Sequence, residues 1–270
     1  MLLITFGTRP EYIKVLPVMR EMDKRQYPYK TFFTGQHTDL LKNINEPDHR
    51  VEIKEGYNRL DAIVQSILNN ESIFAGITSV MVQGDTTSAF ATALAAFHRK
   101  IPVAHLEAGL RTYDKYSPYP EEFNRRAISA LTEIHFAATE TARQRLYEEG
   151  YHNKIYVVGN TVLDNIVDVE TTDSNIVVVT LHRREKHEEI ALWFQTINEL
   201  AQKYKHLRFV LPIHPNPDVK KHEHILTDVE VIEPLAHADF MSHLAACKYI
   251  ITDSGGIQEE AAFLKNLVSC

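Results

Sequence analysis

Apolar residues along the chain fall into short continuous runs, separated by longer stretches in which they recur at helical spacing. About seven strand-like runs precede residue 160, among them residues 2–6, 31–34, 79–82, 101–104, 134–137 and 155–158. Continuous runs rich in β-branched residues predict strands that are buried on both faces. The stretches between them, such as 60–68 and the segment AFATALAAF, predict helices, whereas the polar stretch 43–57 predicts an irregular surface excursion. This alternation is typical of one mostly parallel sheet covered by helices.

A second series of the same kind follows a polar segment, VETTDSN, within residues 161–175. The series comprises a helix at 188–205 and strands at 176–180, 208–211, 229–232, 249–252 and 267–269. We interpret the polar segment as a hinge. The pattern therefore predicts an α/β fold of two Rossmann-like domains with a central cleft, residues 1–166 and 167–270.

Composition limits the functional classes that need to be considered. The 270-residue chain has a formal net charge of −7, which gives no electrostatic reason to bind nucleic acid or an acidic membrane surface. It has two cysteines, no signal-peptide pattern in MLLITFGTRPE and no apolar run that approaches a membrane span. These features predict a soluble, cytoplasmic protein.

Acidic residues gather where the predicted strands of the first domain end. Asp85 and Glu107 each follow a strand, and Glu121 lies in the first turn of a helix that starts near Pro120, with Glu122 as a further candidate. Strand ends are where α/β proteins place ligand chemistry. Carboxylates held close together raise one another's pKa, which prepares them for proton transfer at carbon or oxygen.

The second domain offers a site for an anion. In the segment Asp253-Ser254-Gly255-Gly256 a strand ends and a helix begins, so free backbone N–H groups could bind a pyrophosphate. Glu259 or Glu260, one turn further along, could accept hydrogen bonds from ribose hydroxyl groups. On the first domain, Arg9 and Lys14 beside a strand end could face the same diphosphate.

Histidines give a weaker signal than the acids. His182 directly follows a predicted strand and would stand opposite the carboxylates across the predicted cleft. The fourteen histidines show no HExxH or other paired spacing, and His214, between prolines, is more typical of a loop histidine bonded to backbone. Metal catalysis is therefore not supported. Together, the carboxylates and the anion site suggest chemistry at the sugar ring of a nucleotide sugar.

Seven sequence blocks carry a resemblance to a known family: FGTRPEYIKVLP, TGQH, VQGDTTSAFATALAAF, HLEAGLRTYDKYSPYPEEFNRR, VGNTVLD, HRRE and TDSGGIQEEA. In this order they resemble the UDP-N-acetylglucosamine 2-epimerases of the non-hydrolysing bacterial type. The resemblance implies a glycosyltransferase-B-like fold with UDP in the cleft, in a homodimer. It also implies interconversion of UDP-GlcNAc and UDP-ManNAc without nicotinamide or metal, by elimination of UDP to a 2-acetamidoglucal and re-addition to the other face.

The resemblance also assigns roles, position by position. Asp85, Glu107 and Glu121 match the family's acid/base carboxylates, and which of them takes the C2 proton stays open. The other matches are His182 and Lys14 for its essential histidine and lysine, Arg9 for its phosphate-side arginine, Ser254, Gly255, Gly256 and Glu260 for its UDP diphosphate and ribose contacts, and Phe240 for the aromatic residue near uracil.

Two alternatives remain beside the epimerase. A hydrolysing relative would release ManNAc and UDP, and a truncated remnant would bind UDP without catalysis. Compared with the family, the sequence ends at Cys270, on what would be an interior strand of the second sheet. We therefore expect the second domain to be incomplete.

Overall fold

The computed structural model describes most of the chain. The described residues are 1–36, 44–54, 56, 58–152, 154–165, 174–181, 190–214, 216–235, 237–254, 257, 258, 261 and 267–269. The chain divides into two compact units, Met1–Asn165 and Ile166–Cys270, and each is built on one parallel sheet. Among the described residues, no helix is long and apolar enough to cross a lipid bilayer.

The first unit contains a seven-stranded parallel sheet. Its strands are β1 (Leu2–Phe6), β2 (Tyr29–Phe33), β3 (His49–Arg50), β4 (Ser79–Gln83), β5 (Val103–Ala108), β6 (Ile134–Ala137) and β7 (Ile155–Val157). Its helices are α1 (Arg9–Lys24), α2 (Arg59–Leu68), α3 (Thr87–His98), α4 (Glu121–Leu131) and α5 (Glu140–Glu148), with 3₁₀ turns at Ser72–Phe74 and Thr161–Asn165.

The strand order of this sheet is β3-β2-β1-β4-β5-β6-β7. The chain therefore builds outward from β1 in one direction and from β4 in the other, so that β1 and β4 flank the topological switch point. In open α/β sheets, ligands bind beyond the carboxyl ends of the two strands at this point. Ligand-binding residues are therefore expected in the turns that follow β1 and β4.

Side chains of the central strands alternate between two helical layers. Leu3 packs in one apolar cluster with residues of α2 and α3, whereas Ile4 packs in a second cluster with Val15 and Met19 of α1. The buried positions of α3 include several small residues: Ala89, Ala91, Ala93, Ala95 and Ala96. Burial on both faces explains why the central strands are continuous apolar runs in the sequence.

The second unit has a five-stranded parallel sheet in its described part. Its strands are β8 (Ile176–Thr180), β9 (Arg208–Pro212), β10 (Glu230–Ile232), β11 (Tyr249–Thr252) and β12 (Leu267–Ser269), and its helices are α6 (Ile190–Lys203), α7 (Pro217–Lys220) and α8 (His237–Ala246). The order β10-β9-β8-β11-β12 makes β8 and β11 neighbours at a second switch point. At the carboxyl ends of these strands, the hydroxyl groups of Thr180 and Thr252 share a hydrogen bond of 2.7 Å.

The predicted alternation of strands and helices is confirmed, with two differences in the first sheet. Strand β3 lies in the stretch that was predicted to be irregular, and it pairs with β2 over only two residues. Strand β5 continues to Ala108, although the apolar run predicts an end at Ala104. The polar residues that suggested a loop remain in the sheet because His105 is fully buried and its Nε2 lies 2.7 Å from the carbonyl oxygen of Gly84.

Candidate active site

The turn between β1 and α1 is closely packed and well capped. The hydroxyl group of Thr8 accepts a hydrogen bond from the backbone N–H of Glu11, and the Glu11 carboxylate accepts one from the backbone N–H of Thr8 in return. Gly7 precedes this cap, and a Cβ at this position would lie 2.1 Å from Oγ1 of Thr34. The turn therefore needs glycine for its packing.

The capped turn presents two of the predicted basic residues. Arg9, at the first position of α1, is exposed, and its guanidinium makes no hydrogen bond or ion pair with any residue that the structure describes. Lys14 lies more than one turn further along α1, and its ammonium group lies 2.5 Å from Oε1 of Glu107. The sequence singled out both residues of this ion pair, which spans 93 positions of the chain.

Glu107 has the most unusual backbone of the predicted acids. It has a φ of 69°, and the pairing of β5 with β6 shifts register between Leu106 and Ala108. A non-glycine residue in the left-handed region costs about 1–3 kcal/mol, and such residues cluster at active sites. Its carboxylate, only 15% exposed, accepts hydrogen bonds from Lys14 at one oxygen and from the Gln83 side chain at the other. The bulge thus orients a carboxylate whose two oxygens are each bound by a donor.

Asp85 lies in the turn between β4 and α3. Its Oδ2 accepts a hydrogen bond of 2.5 Å from Arg125 on α4, and its backbone oxygen accepts one of 2.9 Å from Asn124. Gly84, with a φ of 70°, makes the turn, and a Cβ there would lie 3.6 Å from Oε2 of Glu107. The structure therefore brings Asp85 and Glu107 to neighbouring strand ends, each as one member of an ion pair.

Glu121 is the first residue of α4 and so lies in its first turn, as predicted. Arg125, which pairs with Asp85, follows it by four positions, so both side chains project from one face of the helix. The Oε2 atom of Glu121 is buried and has no hydrogen-bond partner in the described part of the chain. A buried carboxylate oxygen without a partner is costly, and such atoms are typical of groups that meet a ligand.

Glu122, the further candidate among the acids, instead organises the loop before α4. It is fully buried, and its two oxygens accept hydrogen bonds from the backbone N–H groups of Thr112 and Tyr113, at 2.9 and 3.0 Å. The same loop is anchored by Arg111, whose guanidinium donates to both oxygens of Glu149, at 2.8 and 2.7 Å. Glu122 therefore has a supporting role in this structure.

We expect acid to weaken the anchor between Arg111 and Glu149. The hydrogen bond from Arg111 holds the pKa of Glu149 below its ordinary value of 4.5. A lowered folded-state pKa contributes stability that is complete above the unfolded-state pKa and is lost as the pH falls through the folded-state pKa. Glu149→Gln should therefore have a lower Tm than the wild type at neutral pH. When the pH falls below about 4.5, the Tm of the variant should decrease less than the Tm of the wild type, because the variant has no carboxylate to protonate at this position.

The control for this prediction is Glu21→Gln, which removes the exposed partner of Arg25. Solvent screens an exposed pair, so Tm and its pH dependence should change far less. Thermal melts from pH 3 to pH 7 measure both variants. If acid lowers the Tm of Glu149→Gln as much as that of the wild type, the ion pair between Arg111 and Glu149 is not the source of the pH dependence.

His105 stabilises the turn at Gly84. Burial lowers the pKa of His105 to about 3, so the imidazole is neutral at physiological pH. Its Nε2 lies 2.7 Å from the Gly84 carbonyl oxygen, which sets the turn that carries Asp85. A neutral, buried histidine with this partner is a structural element and not a proton carrier.

In the second unit, the described part of the predicted anion site has the expected local form. Ser254 follows β11 and its backbone N–H donates to Oγ1 of Thr252 at 3.0 Å. The backbone N–H of Gln258 donates to the carbonyl oxygen of Ser254 at 3.1 Å, which marks the first turn of a helix. Phe240 is half-buried on α8. His182, Gly255, Gly256 and Glu260 lie outside the described residues.

His214 is bonded to backbone, as its position between prolines suggested. Its Nδ1 accepts a hydrogen bond of 3.2 Å from the backbone N–H of Asn216, which caps α7. No group of three or more histidine, cysteine or acidic side chains that could hold a metal ion occurs among the residues that the structure describes.

Three residues that contact the predicted acids or their turns were not assigned a role from the sequence: Glu11, Gln83 and Arg125. The spacing Thr8-x-x-Glu11 is a capping-box signature and could have identified Glu11 as the residue that fixes the first turn. No local signal identifies the other two, because their contacts depend on which strands and helices become neighbours.

Comparison with known proteins decides the family. A model of the UDP-N-acetylglucosamine 2-epimerase family matches residues 20–268. The chain belongs to this family. A UDP-N-acetylglucosamine 2-epimerase from Neisseria meningitidis serogroup A is 40% identical, over 97% of this chain and 80% of that protein. A crystal structure of UDP-GlcNAc 2-epimerase from Neisseria meningitidis bound to UDP-GlcNAc superposes with a TM-score of 0.85 at 37% identity, over 99% of this chain and 81% of that one.

Membership of the 2-epimerase family confirms the resemblance read from the seven sequence blocks. The fold class is confirmed as well. A crystal structure of MurG from Acinetobacter baumannii, 14% identical, superposes with a TM-score of 0.57 over 95% of this chain and 72% of that one, a likeness that shows the glycosyltransferase-B-like fold alone.

Proposed function

We propose that the protein is an isomerase that interconverts UDP-N-acetylglucosamine and UDP-N-acetylmannosamine at C2 of the sugar. Family membership supports this reaction, and one observation in the structure carries it. Glu107 is held in a left-handed conformation at a β-bulge, and its carboxylate is bound by Lys14 and Gln83. It lies toward the carboxyl ends of the strands, where α/β proteins bind ligands.

The chemical problem is a weakly acidic C2 proton next to a diphosphate leaving group. In the proposed route, a carboxylate removes the proton from C2 and the C1–O bond to UDP breaks, which leaves a 2-acetamidoglucal and UDP. UDP then re-adds at C1 while a proton is delivered to the opposite face of C2. No oxidant or metal is needed for this sequence, because the electrons of the C–H bond form the double bond and the leaving group takes the electrons of the C–O bond.

The acids of the first unit divide into three settings that suit this route. Glu107 is paired with Lys14, and Asp85 is paired with Arg125. Both can stabilise positive charge that develops at the anomeric carbon. Glu121 has a buried oxygen without a partner among the described residues, which suits a group that accepts a proton from the substrate.

We assign binding of the leaving group to the basic residues of the first unit, and binding of the nucleotide to the second unit. Arg9 is exposed and has no described partner, so its guanidinium can bind a phosphate bidentately. By resemblance, His182 acts with these groups, and Phe240, Ser254, Gly255, Gly256 and Glu260 contact UDP. A homodimer, a cytoplasmic location and independence of added cofactors belong to the same proposal.

Turnover in deuterated water distinguishes the proposed reaction from its alternatives. We expect the protein to convert UDP-GlcNAc to UDP-ManNAc with one solvent deuterium at C2, as read by proton NMR, because the proton removed exchanges with solvent before re-addition. Release of free ManNAc and UDP would show the hydrolysing reaction instead. Binding of UDP with neither product would identify a non-catalytic protein and would end the proposal.

A further inference from the structure

A buried carboxylate that the proposed chemistry does not use lies at the switch point of the first sheet. Glu11 is 3% exposed. Its Oε2 accepts hydrogen bonds from the backbone N–H of Gly7 at 2.9 Å and from the backbone N–H and hydroxyl group of Thr8 at 2.7 and 2.8 Å. These three bonds complete the turn that leads from β1 into α1.

The second oxygen of Glu11 reaches a different turn. Its Oε1 accepts a hydrogen bond of 2.7 Å from the hydroxyl group of Thr86, 75 positions away. Thr86 is the N-cap of α3, where its Oγ1 accepts from the backbone N–H of Ala89 at 3.1 Å, and it directly follows Asp85. One carboxylate therefore joins the turns that follow β1 and β4.

A helix cap alone does not explain this arrangement. A capping box needs only the bonds between Thr8 and Glu11, and such boxes function at exposed helix ends. Burial raises the pKa of Glu11, while the hydrogen bonds from Thr86, Gly7 and Thr8 lower it. Keeping an ionised group here is therefore costly, and the bond to Thr86 is the part of the network that serves no need of α1.

We propose that Glu11 is a positioning residue that fixes Arg9 and Lys14, on the first turns of α1, relative to Asp85. The inference rests on the proposed function, because the three side chains it aligns are those assigned to the leaving group and to the acids. Groups that act on one sugar and on its leaving group must keep their separation within a fraction of an ångström, and a misplacement of about 1 Å can cost about 100-fold in rate. The bond between Glu11 and Thr86 sets that separation across the switch point.

The test removes the bond to Thr86 and leaves the capping box intact. In Thr86→Val, an isosteric change, the link to Glu11 and the cap of α3 are both lost, whereas Thr86→Ser keeps both. The matched control is Thr139→Val, because Thr139 caps α5 through a hydrogen bond of 3.1 Å from the backbone N–H of Ala142 and makes no bond to a second turn within the described part of the chain. Glu11→Ala is not the primary variant, since losing four hydrogen bonds can prevent folding.

We expect Thr86→Val to lower kcat by about 10- to 100-fold and to weaken binding of UDP, with a fall in Tm similar to that of Thr139→Val. Thr86→Ser should restore turnover to near the wild-type value, and Thr139→Val should change neither kcat nor the Kd for UDP. Equal kcat and equal UDP affinity in the two valine variants would overturn the inference.

The Kd for UDP, measured by calorimetry, separates this inference from the proposed function. If the wild-type protein binds UDP without turnover, the proposed function fails, and the inference is judged on whether Thr86→Val alone weakens UDP binding. If the wild-type protein binds no UDP, both fail.

Discussion

Replacing Glu107 by glutamine is expected to abolish epimerisation, with kcat at least about 1000-fold lower, while the protein stays folded. Glutamine has the size of glutamate but carries no charge, and its amide has one acceptor oxygen. Glu107 now accepts from two donors, the Lys14 ammonium at 2.5 Å and the Gln83 amide. In the variant, one of these donors must face an N–H group, and Lys14 loses its counter-charge.

The measurement is the initial rate of UDP-ManNAc formation, together with deuterium incorporation at C2. Circular dichroism and the thermal melt establish that the variant is folded, and Glu133→Gln serves as the control. Glu133 is exposed and forms a surface pair with Lys154 at 3.9 Å, so its replacement should leave turnover unchanged. Turnover of Glu107→Gln near the wild-type rate would remove Glu107 from the proposed site.

Most of the fold follows from the sequence because the central strands are buried on both faces. The bounds of β1, β8 and β11 match the apolar runs residue for residue. Strand β3 could not be predicted in this way, since His49 and Arg50 pair with β2 by backbone hydrogen bonds and carry no apolar pattern. Its existence depends on the edge that β2 offers.

The backbone conformation of Glu107 could not be predicted from the pattern of apolar and polar residues. The apolar run ends at Ala104, and a polar His105 and Glu107 predict a loop. In the structure, β5 continues because His105 bonds to the Gly84 turn, 21 positions away, and because a bulge lets Glu107 leave the regular pairing. Both causes are tertiary, so the sequence identified the residue but not the backbone that presents it.

The sequence predicts the acids but not the residues that bind them. Each acid could be selected by its place at the end of a strand or the start of a helix. The bonds from Arg125 to Asp85 and from Thr86 to Glu11 join positions 40 and 75 residues apart, and neither can be inferred until the strand order is known. The family blocks carry these residues without stating what each one contacts.

Asp85→Asn is expected to lower kcat by about 100- to 1000-fold and to leave KM within about threefold of the wild-type value. This substitution removes the negative charge of the side chain and keeps an acceptor oxygen in its place. The asparagine oxygen can still accept from Arg125, which lies 2.5 Å from Oδ2 of Asp85, and the bond from Asn124 to the backbone oxygen of residue 85 does not involve the side chain. The turn should therefore keep its geometry.

The split between kcat and KM decides what Asp85 contributes. A charge that acts only as the anomeric carbon becomes positive is used in the transition state and not in the bound substrate, so its loss lowers kcat. A rise in KM with an unchanged kcat would instead mean that Asp85 holds the substrate uniformly and has no role in the chemical step. Asp61→Asn, at an exposed position in the first turn of α2, removes a carboxylate away from the ion pairs and should reproduce the wild-type values of both constants. Because Asp85 and Glu107 are each paired with a cation, a selective loss of kcat in both variants is the result expected of charges that are fixed before the reaction and act in the transition state.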